Sequence, residues 1–197
     1  MFTERPNQEE LRQGDIIEGV YYPTLNCENL RLIGEPNHQT LSDERPDLIA
    51  ETIKKQGVTL FTAQVQVFRG FGIIISQCCD LALRSGKLEV PAFVISPLVE
   101  ISYNLQNNSE KLSKFQENSL HSFVNLFYIP QQEPLPKSYM VDFNRMVSLP
   151  RTEFNFVLSK KVLQMTDEDR VKFKIKLSHQ FGRATQEEIA AGLFPSL

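Results

Sequence analysis

Hydrophobic and polar positions alternate or form short apolar runs over much of this chain, and both patterns are typical of β-strands. Ile16–Tyr22 is rich in β-branched and aromatic residues and follows a Gln-Gly-Asp turn, so we predict a strand there. Val58–Phe68 alternates apolar and polar residues, which indicates a half-buried strand. We expect a turn at Arg69–Gly72, and the Gly-Ile-Ile-Ile start of Gly72–Cys78 predicts a fully buried strand.

Three more strand segments follow in the sequence. Lys87–Ser102 predicts a long strand, in which Pro91 and Pro97 favour a position at a sheet edge or an interruption, because proline has no N–H for a ladder hydrogen bond. Phe123–Pro130 and Ser138–Pro150 each predict one further strand. The chain should therefore hold five or six strands.

Two polar stretches are predicted to be insertions between these strands. The first spans about 34–57, where Pro46 fits the first turn of a short helix and Gly57 fits its end. The second spans about 104–120 and is expected to contain a helical turn.

The end of the chain is predicted to be helical. Thr166 is followed by three acidic residues in an N-terminal capping pattern, so we favour helices over about 167–192, although Val171–Leu177 also alternates like a strand. A helical wheel places these polar residues on one face: Lys172, Lys176, His179, Gln180 and Arg183. This face is either a basic binding surface or a solvated helix face.

The composition agrees with one globular domain over residues 1–197. Apolar residues make up 41% and charged residues 23% of the chain, values that argue against global disorder. No apolar run approaches the roughly 18 residues of a membrane span, and the N-terminus lacks the apolar core of a signal peptide. We therefore expect a cytoplasmic protein that does not bind membranes. Three cysteines, two of them adjacent, agree with a reducing compartment.

Charge is distributed unevenly along the chain. The net charge of −3 argues against general binding of nucleic acid. Arg151–Arg183, however, contains eight Lys/Arg against four Asp/Glu, so the rest of the chain is acidic. A basic segment of this kind could bind RNA, DNA or an acidic partner.

The Ser-Gln-Cys-Cys-Asp motif at positions 76–80 is the first candidate site. If it ends a strand, Cys78 and Cys79 face opposite sides, one towards the core and one towards the end of the sheet. A nucleophilic cysteine requires a base, a cation or a helix N-terminus beside it, and Asp80 alone is not activating. The motif is therefore either a buried strand end or a catalytic site built on Cys79 and Asp80.

Four other polar residues are candidates for ligand binding. Ser76 and Gln77 either hold the turn after the strand or form part of a ligand-binding rim. Arg145 and Arg151 either make intrachain ion pairs or bind a phosphate or carboxylate group. The sequence leaves both pairs of alternatives open.

The three histidines lie far apart in the sequence: His38, His121 and His179. None of them has a Cys or His neighbour at ligand spacing, so we predict no metal site and no cofactor. His121 or His179 could still complete a Cys–His dyad, although no spacing favours one.

Two stretches resemble the MazF/PemK family, bacterial SH3-like barrels that include ribosome-independent RNA-cleaving toxins. Gly14–Ile17, with the aromatic-proline end of its strand, is similar to the family's opening strand. Gly72–Ser76 and Val90–Pro97 are similar to its second and third strands. The resemblance implies a mainly β, α+β fold: a small curved antiparallel barrel with helical insertions and a C-terminal helix.

The catalytic residues of that family have no clear counterpart here. The family has an Arg-Pro before its second strand, where this chain has Phe71 and Gly72. A Thr or Ser follows the proline of its third strand, where this chain has Leu98. We therefore do not expect RNA cleavage by the family's mechanism.

The chain resembles a second group of bacterial proteins more closely. That group carries a Ser-Gln-x-Cys-Asp element and a later Tyr-x-Pro and Val-Asp-Phe…Arg segment. The matching segments here are Ser76–Asp80, Tyr128–Pro130 and Val141–Arg145. This resemblance supports the fold prediction and implies no mechanism.

The resemblance implies a cytosolic bacterial recognition module that binds RNA or a protein partner, in a toxin–antitoxin or phage-defence system. One alternative is an enzyme with Cys79 as its nucleophile or ligand and Asp80 orienting a partner. Another is a structural subunit whose barrel edge or apolar insertion docks a second chain. Whether the protein is catalytic, and whether it forms a homodimer, stay open.

Overall fold

The computed structural model describes residues 1–24, 31–33, 62–64, 66–84 and 87–182. It confirms the predicted α+β class, with a curved antiparallel half-barrel sheet as its main element. The strands are β1 (Ile16–Thr24), β2 (Arg31–Ile33), β3 (Thr62–Gln64), β4 (Gln66–Ile74), β5 (Leu83–Arg84), β6 (Lys87–Leu88), β7 (Ala92–Glu100), β8 (Leu126–Ile129), β9 (Tyr139–Asp142), β10 (Val147–Pro150) and β11 (Lys161–Leu163). The helices are α1 (Cys78–Leu81), α2 (Tyr103–Gln106), α3 (Ser109–Gln116), α4 (Phe154–Leu158) and α5 (Asp167–Phe181), and a 3-10 turn covers Arg151–Glu153.

Seven of the described strands form one sheet in the order β11-β1-β4-β7-β9-β8, with β10 paired to a separate stretch of β7. Two further ladders join β2 to β3 and β5 to β6. The chain divides into two compact units: Met1–Val20 with Gly70–Leu197, and Tyr21–Arg69. The candidate site described below belongs to the first unit. The predicted insertion at about 34–57 lies outside the described residues.

Strand β4 corrects the prediction of a turn at Arg69–Gly72. The strand continues through these residues, and Gly72 pairs with Pro97 in the ladder between β4 and β7. Pairing with the neighbouring strand outweighs the local preference of the glycines for a turn. The predicted burial is confirmed for the isoleucines that follow, since Ile73–Ile75 are buried.

Strand β7 is central in the sheet, so the prediction of an edge position is wrong. β4 pairs with one side of β7, while β10 and β9 share the other side. Pro97 lies between Ile95, the last residue paired with β10, and Leu98, the first paired with β9. No backbone N–H is needed for pairing at the position where the partner strand changes from β10 to β9. This explains why β7 can hold a proline although it is a central strand. The predicted interruption is confirmed near Pro91, which separates β6 from β7.

The second predicted insertion holds two helices, α2 and α3. Phe115 of α3 is fully buried, and its ring makes edge contacts with Phe123 and Tyr128 at centroid distances of 5.2 Å and 5.6 Å. These contacts attach the insertion to β8.

At the C-terminus the structure describes α5, and the prediction beyond Gly182 lies outside the described residues. No helix within the described ranges has the length and apolarity needed to cross a bilayer.

Helix α5 packs on the core of the sheet. The predicted N-cap is confirmed, because Oγ1 of Thr166 accepts a hydrogen bond from the backbone N–H of Asp169 at 3.3 Å. Phe173 is fully buried, and its ring contacts those of Phe127 and Phe143 at centroid distances of 4.9 Å and 5.7 Å. Phe173 therefore sets which face of α5 turns inward.

The two faces of α5 differ from the prediction. Lys176 is fully buried, and its Nζ donates to the backbone oxygen of Ser122 at 3.2 Å. Three apolar side chains are instead exposed by 52%, 48% and 58%: Val171, Ile175 and Phe181. The wheel groups Lys176 with the polar residues, but it lies three residues after Phe173 and thus on the inward face. Its long aliphatic stem allows this burial.

A buried ion pair joins the residue before β1 to the first residue of β11. Nζ of Lys161 lies 2.7 Å from Oδ2 of Asp15, and both side chains are almost completely buried. Nζ also donates to the backbone oxygen of Glu10 at 3.0 Å and to Oε1 of Gln164 at 2.9 Å. The carboxylate accepts the backbone N–H of Arg12 at 2.7 Å. Burial raises the pKa of Asp15 to about 6, and Lys161 offsets only part of this effect.

Candidate functional site

The last three residues of the Ser-Gln-Cys-Cys-Asp motif begin the helix α1, which three residues separate from the end of β4. Oγ of Ser76 accepts the backbone N–H of Val94 at 2.8 Å, which holds the segment after β4 against β7. Cys78 and Cys79 are the first two residues of α1. The two cysteines therefore do not point to opposite sides of a strand, and that prediction is wrong. The ladder between β4 and β7 ends at Ile74, so no strand pairing extends to the cysteines.

Cys78 has a cationic partner that the sequence did not indicate. Nη1 of Arg170, on the first turns of α5, donates to Sγ of Cys78 at 3.2 Å. Cys78 is partly exposed, and the side chain of Arg170 is mostly buried. The requirement for a neighbouring cation is thus met at Cys78.

A carboxylate between two arginines positions this guanidinium. Nη2 of Arg170 donates to Oδ1 of Asp167 at 2.9 Å, and Nη2 of Arg12 donates to the same oxygen. The hydrogen bond from Arg12, followed by that from Arg170, lowers the pKa of Asp167. Burial alone would lower the pKa of Arg170, but the hydrogen bonds to Asp167 and Cys78 outweigh it and raise the pKa above its ordinary value. Nε of Arg170 is buried and has no hydrogen-bond partner among the described residues.

The predicted catalytic residues Cys79 and Asp80 lie together at the surface. Sγ of Cys79 is 3.8 Å from Oε1 of Gln77 and 3.8 Å from Oδ1 of Asp80. Both neighbouring atoms are hydrogen-bond acceptors. Within the described residues no cation contacts Cys79, and the electrostatic environment of the two cysteines therefore differs.

The two predicted arginines flank β10. Arg145 lies in the turn before this strand, is exposed, and places Nε 3.4 Å from Oδ2 of Asp142. Arg151 follows the strand, is exposed, and donates its backbone N–H to Pro91 at 2.9 Å. Within the described ranges no hydrogen bond or ion pair joins either arginine to the cysteine motif.

The predicted basic face of α5 is not formed as expected. Lys172 is exposed, but its Nζ lies 2.7 Å from Oε1 of Glu168 and 3.6 Å from Oδ1 of Asp169. Lys176 is buried, so it cannot share an exposed surface with Lys172. Arg183 lies outside the described residues. Burial lowers the pKa of Lys176 to about 8.

Two of the histidines lie close together. The ring centroids of His121 and His179 are 6.0 Å apart with nearly perpendicular planes. Nδ1 of His179 is buried, and no described residue forms a hydrogen bond with it. In the part of the chain that the structure describes, neither histidine hydrogen-bonds a cysteine, and no group of three or more His, Cys, Asp or Glu could hold a metal ion. His38 lies outside that part.

Sequence reasoning missed Arg12 and Arg170. Arg170 follows the acidic first turn of α5 and looks like a partner for Asp167 in the preceding turn of the helix. Its second partner, Cys78, is 92 residues away in the sequence, and Arg12 is 155 residues from Asp167. No spacing rule connects positions so far apart, so only the packing of α5 reveals the cluster.

A scan against protein-family models and a search of curated proteins both gave no match to this chain. The resemblance to the MazF/PemK family rests on the motifs quoted above.

Proposed function

We propose that the curved sheet is a barrel of the MazF/PemK type and that the protein is a recognition module that binds RNA. The segments that resemble the family's first three strands belong to β1, β4 and β7 or directly flank them, and these strands are neighbours in the sheet order. The three motifs are widely spaced in the sequence but lie on neighbouring strands of the sheet. This adjacency supports the proposed barrel. The proposed bacterial toxin–antitoxin or phage-defence context comes from the resemblance alone.

Arg145 and Arg151, at the two ends of β10, carry the RNA-binding proposal. Both are exposed, and Arg151 has no ion-pair partner within the described residues. The ion pair of Arg145 with Asp142 is weak competition for a ligand, since surface pairs contribute only about 0–1 kcal/mol. Guanidinium groups bind phosphates bidentately, and two of them along one strand suit a nucleic-acid backbone.

Replacing Arg145 and Arg151 together by glutamine should weaken binding of a labelled single-stranded RNA of about 12 nucleotides. The physical reason is the loss of two phosphate contacts, each of which contributes about 0.7 to the slope of log affinity against log salt. Fluorescence anisotropy between about 50 and 200 mM salt measures this slope, which should fall by about 1.4 in the double variant.

Lys172→Gln is the matched control for RNA binding, because Lys172 is an exposed cation on α5 and not at an end of β10. It should change the salt slope less than the arginine double variant does. An affinity that is flat across this salt range, or equal slopes for wild type and double variant, would exclude the proposed RNA-binding surface.

A protein partner is the second candidate, and the outer face of α5 favours it. Val171 and Ile175 are one helical turn apart and about half exposed, although the helix buries Lys176 on its other side. A helix that exposes apolar residues and buries a lysine has an outer face suited to contact with another chain. This candidate includes the structural-subunit hypothesis.

For the protein-partner candidate we expect Val171→Glu combined with Ile175→Glu to abolish capture of the partner and to leave the melting temperature nearly unchanged. Both side chains already contact solvent, so the substitutions disturb little packing. Quantitative pull-downs compare wild type, this variant and Lys111→Glu, an exposed control on α3 with the same change in charge. Capture that both variants retain, or that both lose, contradicts docking through α5.

A further inference from the structure

We propose that Phe156 stacks on an unpaired base of the bound RNA and that Lys160 contacts the phosphate beside that base. The inference rests on the proposed RNA binding by Arg145 and Arg151, and it extends that surface from β10 onto α4. Arg151 begins the 3-10 turn that joins the two elements, so the arginines and the ring belong to one continuous stretch of chain.

The outward position of the Phe156 ring is the first observation. The side chain is 44% exposed, whereas Phe154 and Val157 on the same helix are buried. The ring of Phe154 makes an edge contact with that of Phe93 at a centroid distance of 6.0 Å. Residues three apart share one helix face, so Phe154 and Val157 fix the inward face of α4 and leave Phe156 on the solvent side.

Backbone hydrogen bonds hold this segment on the sheet on both sides of the ring. The backbone N–H of Arg151 donates to the oxygen of Pro91 at 2.9 Å, and the N–H of Glu18 donates to the oxygen of Lys160 at 2.8 Å. A surface that is fixed before binding loses little conformational freedom when a ligand reaches it. The backbone that carries Phe156 is therefore in place for a stacking contact.

The cations around the ring are the second observation. Nζ of Lys160 lies 5.5 Å from the ring centroid of Phe156. Between positions 151 and 160 the chain has two cations, Arg151 and Lys160, against one carboxylate, Glu153. Proteins that bind single strands combine an aromatic ring, which stacks on a base, with cations that neutralise the phosphates. The segment after β10 contains both parts.

This arrangement should make the surface selective for unpaired nucleotides. A ring at the protein surface can stack only on a base whose face is open, and in a duplex the neighbouring base pairs cover these faces. The arginines and Lys160 contact phosphates, which both forms of RNA present. Phe156 therefore supplies the preference for a single strand, whereas the cations supply the salt-dependent part of the affinity.

Fluorescence anisotropy with the full-length protein tests this division of roles. The probes are a labelled single-stranded RNA of about 12 nucleotides and the same strand in a duplex. Phe156→Leu should weaken binding of the single strand by about tenfold and leave binding of the duplex nearly unchanged. The salt slope should stay at the wild-type value, because loss of stacking releases no counterions.

Three variants serve as controls. Phe156→Tyr keeps an aromatic ring and should retain the wild-type affinity for the single strand. Tyr103→Leu makes the same kind of change at an exposed aromatic residue on α2 and should leave the affinity unchanged. Lys160→Gln should lower the salt slope by about 0.7, the contribution of one phosphate contact.

A third probe measures stacking without any substitution in the protein. A chain of about 12 stable abasic nucleotides keeps the phosphates of the single strand and lacks its bases. Wild type should bind this chain about tenfold more weakly than the intact strand, and Phe156→Leu should bind the two about equally. The wild-type comparison gives a result even if circular dichroism shows that Phe156→Leu does not fold.

Equal affinity of wild type for the intact and abasic chains, or wild-type affinity in a folded Phe156→Leu variant, would overturn the stacking role of Phe156. If the Arg145 and Arg151 double variant still lowers the salt slope in that case, the proposed RNA binding stands and only the stacking role fails. Wild type without any salt-dependent binding would overturn both proposals.

Discussion

Replacing Lys161 by methionine should lower the free energy of unfolding at pH 7 by about 3–5 kcal/mol. The substitution leaves the buried carboxylate of Asp15 with the backbone N–H of Arg12 as its remaining hydrogen-bond donor. A buried charge without its counter-charge is among the most costly defects in a folded protein. Denaturant unfolding monitored by circular dichroism measures the loss.

The cost of Lys161→Met should decrease by about 1–2 kcal/mol between pH 7 and pH 5. Burial already raises the folded-state pKa of Asp15 from 3.8 to about 6, and removal of Lys161 raises it further. A raised folded-state pKa means that stability is greatest at low pH and is lost as pH rises through that pKa. At pH 5 the folded variant therefore protonates Asp15 and avoids part of the penalty.

Two further variants separate loss of the ion pair from loss of a lysine. Lys160→Met changes the neighbouring residue, whose Nζ lies 5.5 Å from the ring centroid of Phe156, and should cost less than about 1 kcal/mol. Combining Asp15→Asn with Lys161→Met removes both charges and should restore most of the stability. A double variant as unstable as Lys161→Met would show that packing, and not charge, accounts for the loss.

Replacing Lys176 by methionine should have the opposite effect and raise the free energy of unfolding at pH 7 by about 1–3 kcal/mol. Lys176 is fully buried, has no ion-pair partner within the described residues, and donates one observed hydrogen bond, to Ser122. Methionine fills a similar volume without a charge to desolvate. The melting temperature at pH 7 measures the gain.

The advantage of Lys176→Met should shrink as pH rises from about 8 towards 10.5. Burial lowers the folded-state pKa of Lys176 from 10.5 to about 8, so in this interval the unfolded chain binds more protons than the folded one. Wild-type stability therefore rises with pH, and the variant lacks this contribution. Lys174→Met, at an exposed position on α5, should show little change at either pH. A lower melting temperature for Lys176→Met at pH 7 would mean that its hydrogen bond outweighs the burial cost.

Local patterns predicted the long strands β1, β4 and β7 and the start of α5, whereas short strands such as β2, β5 and β11 were not predicted. The alternation and the apolar runs mark β1, β4 and β8 because exposure on a pleated strand repeats every two residues. The cap of Thr166 depends on neighbours three residues away, so the sequence contains all the information it needs. The prediction of a turn at Gly72 was wrong because it considered only neighbouring residues. Pairing of β4 with β7, which lies later in the chain, outweighs the local preference for a turn.

The candidate site was predicted only in part. The sequence located the cysteine motif and left the role of Ser76 open, and the structure shows its Oγ accepting the backbone N–H of Val94 on β7. It offered Cys79 as the alternative reactive residue because a strand would turn one of the two cysteines towards the core and the other towards the end of the sheet. The structure instead places Arg170, on the first turns of α5, against Cys78.

The sequence by itself therefore determined the α+β class, the approximate places of the strands and the cap of α5, because each follows from residues a few positions apart. Tertiary structure alone decided the central position of β7, the burial of Lys176 and the contact between Cys78 and Arg170. These depend on which surfaces pack together. Phe173 turns one face of α5 towards the sheet, and that single packing choice buries the lysine and exposes Val171 and Ile175.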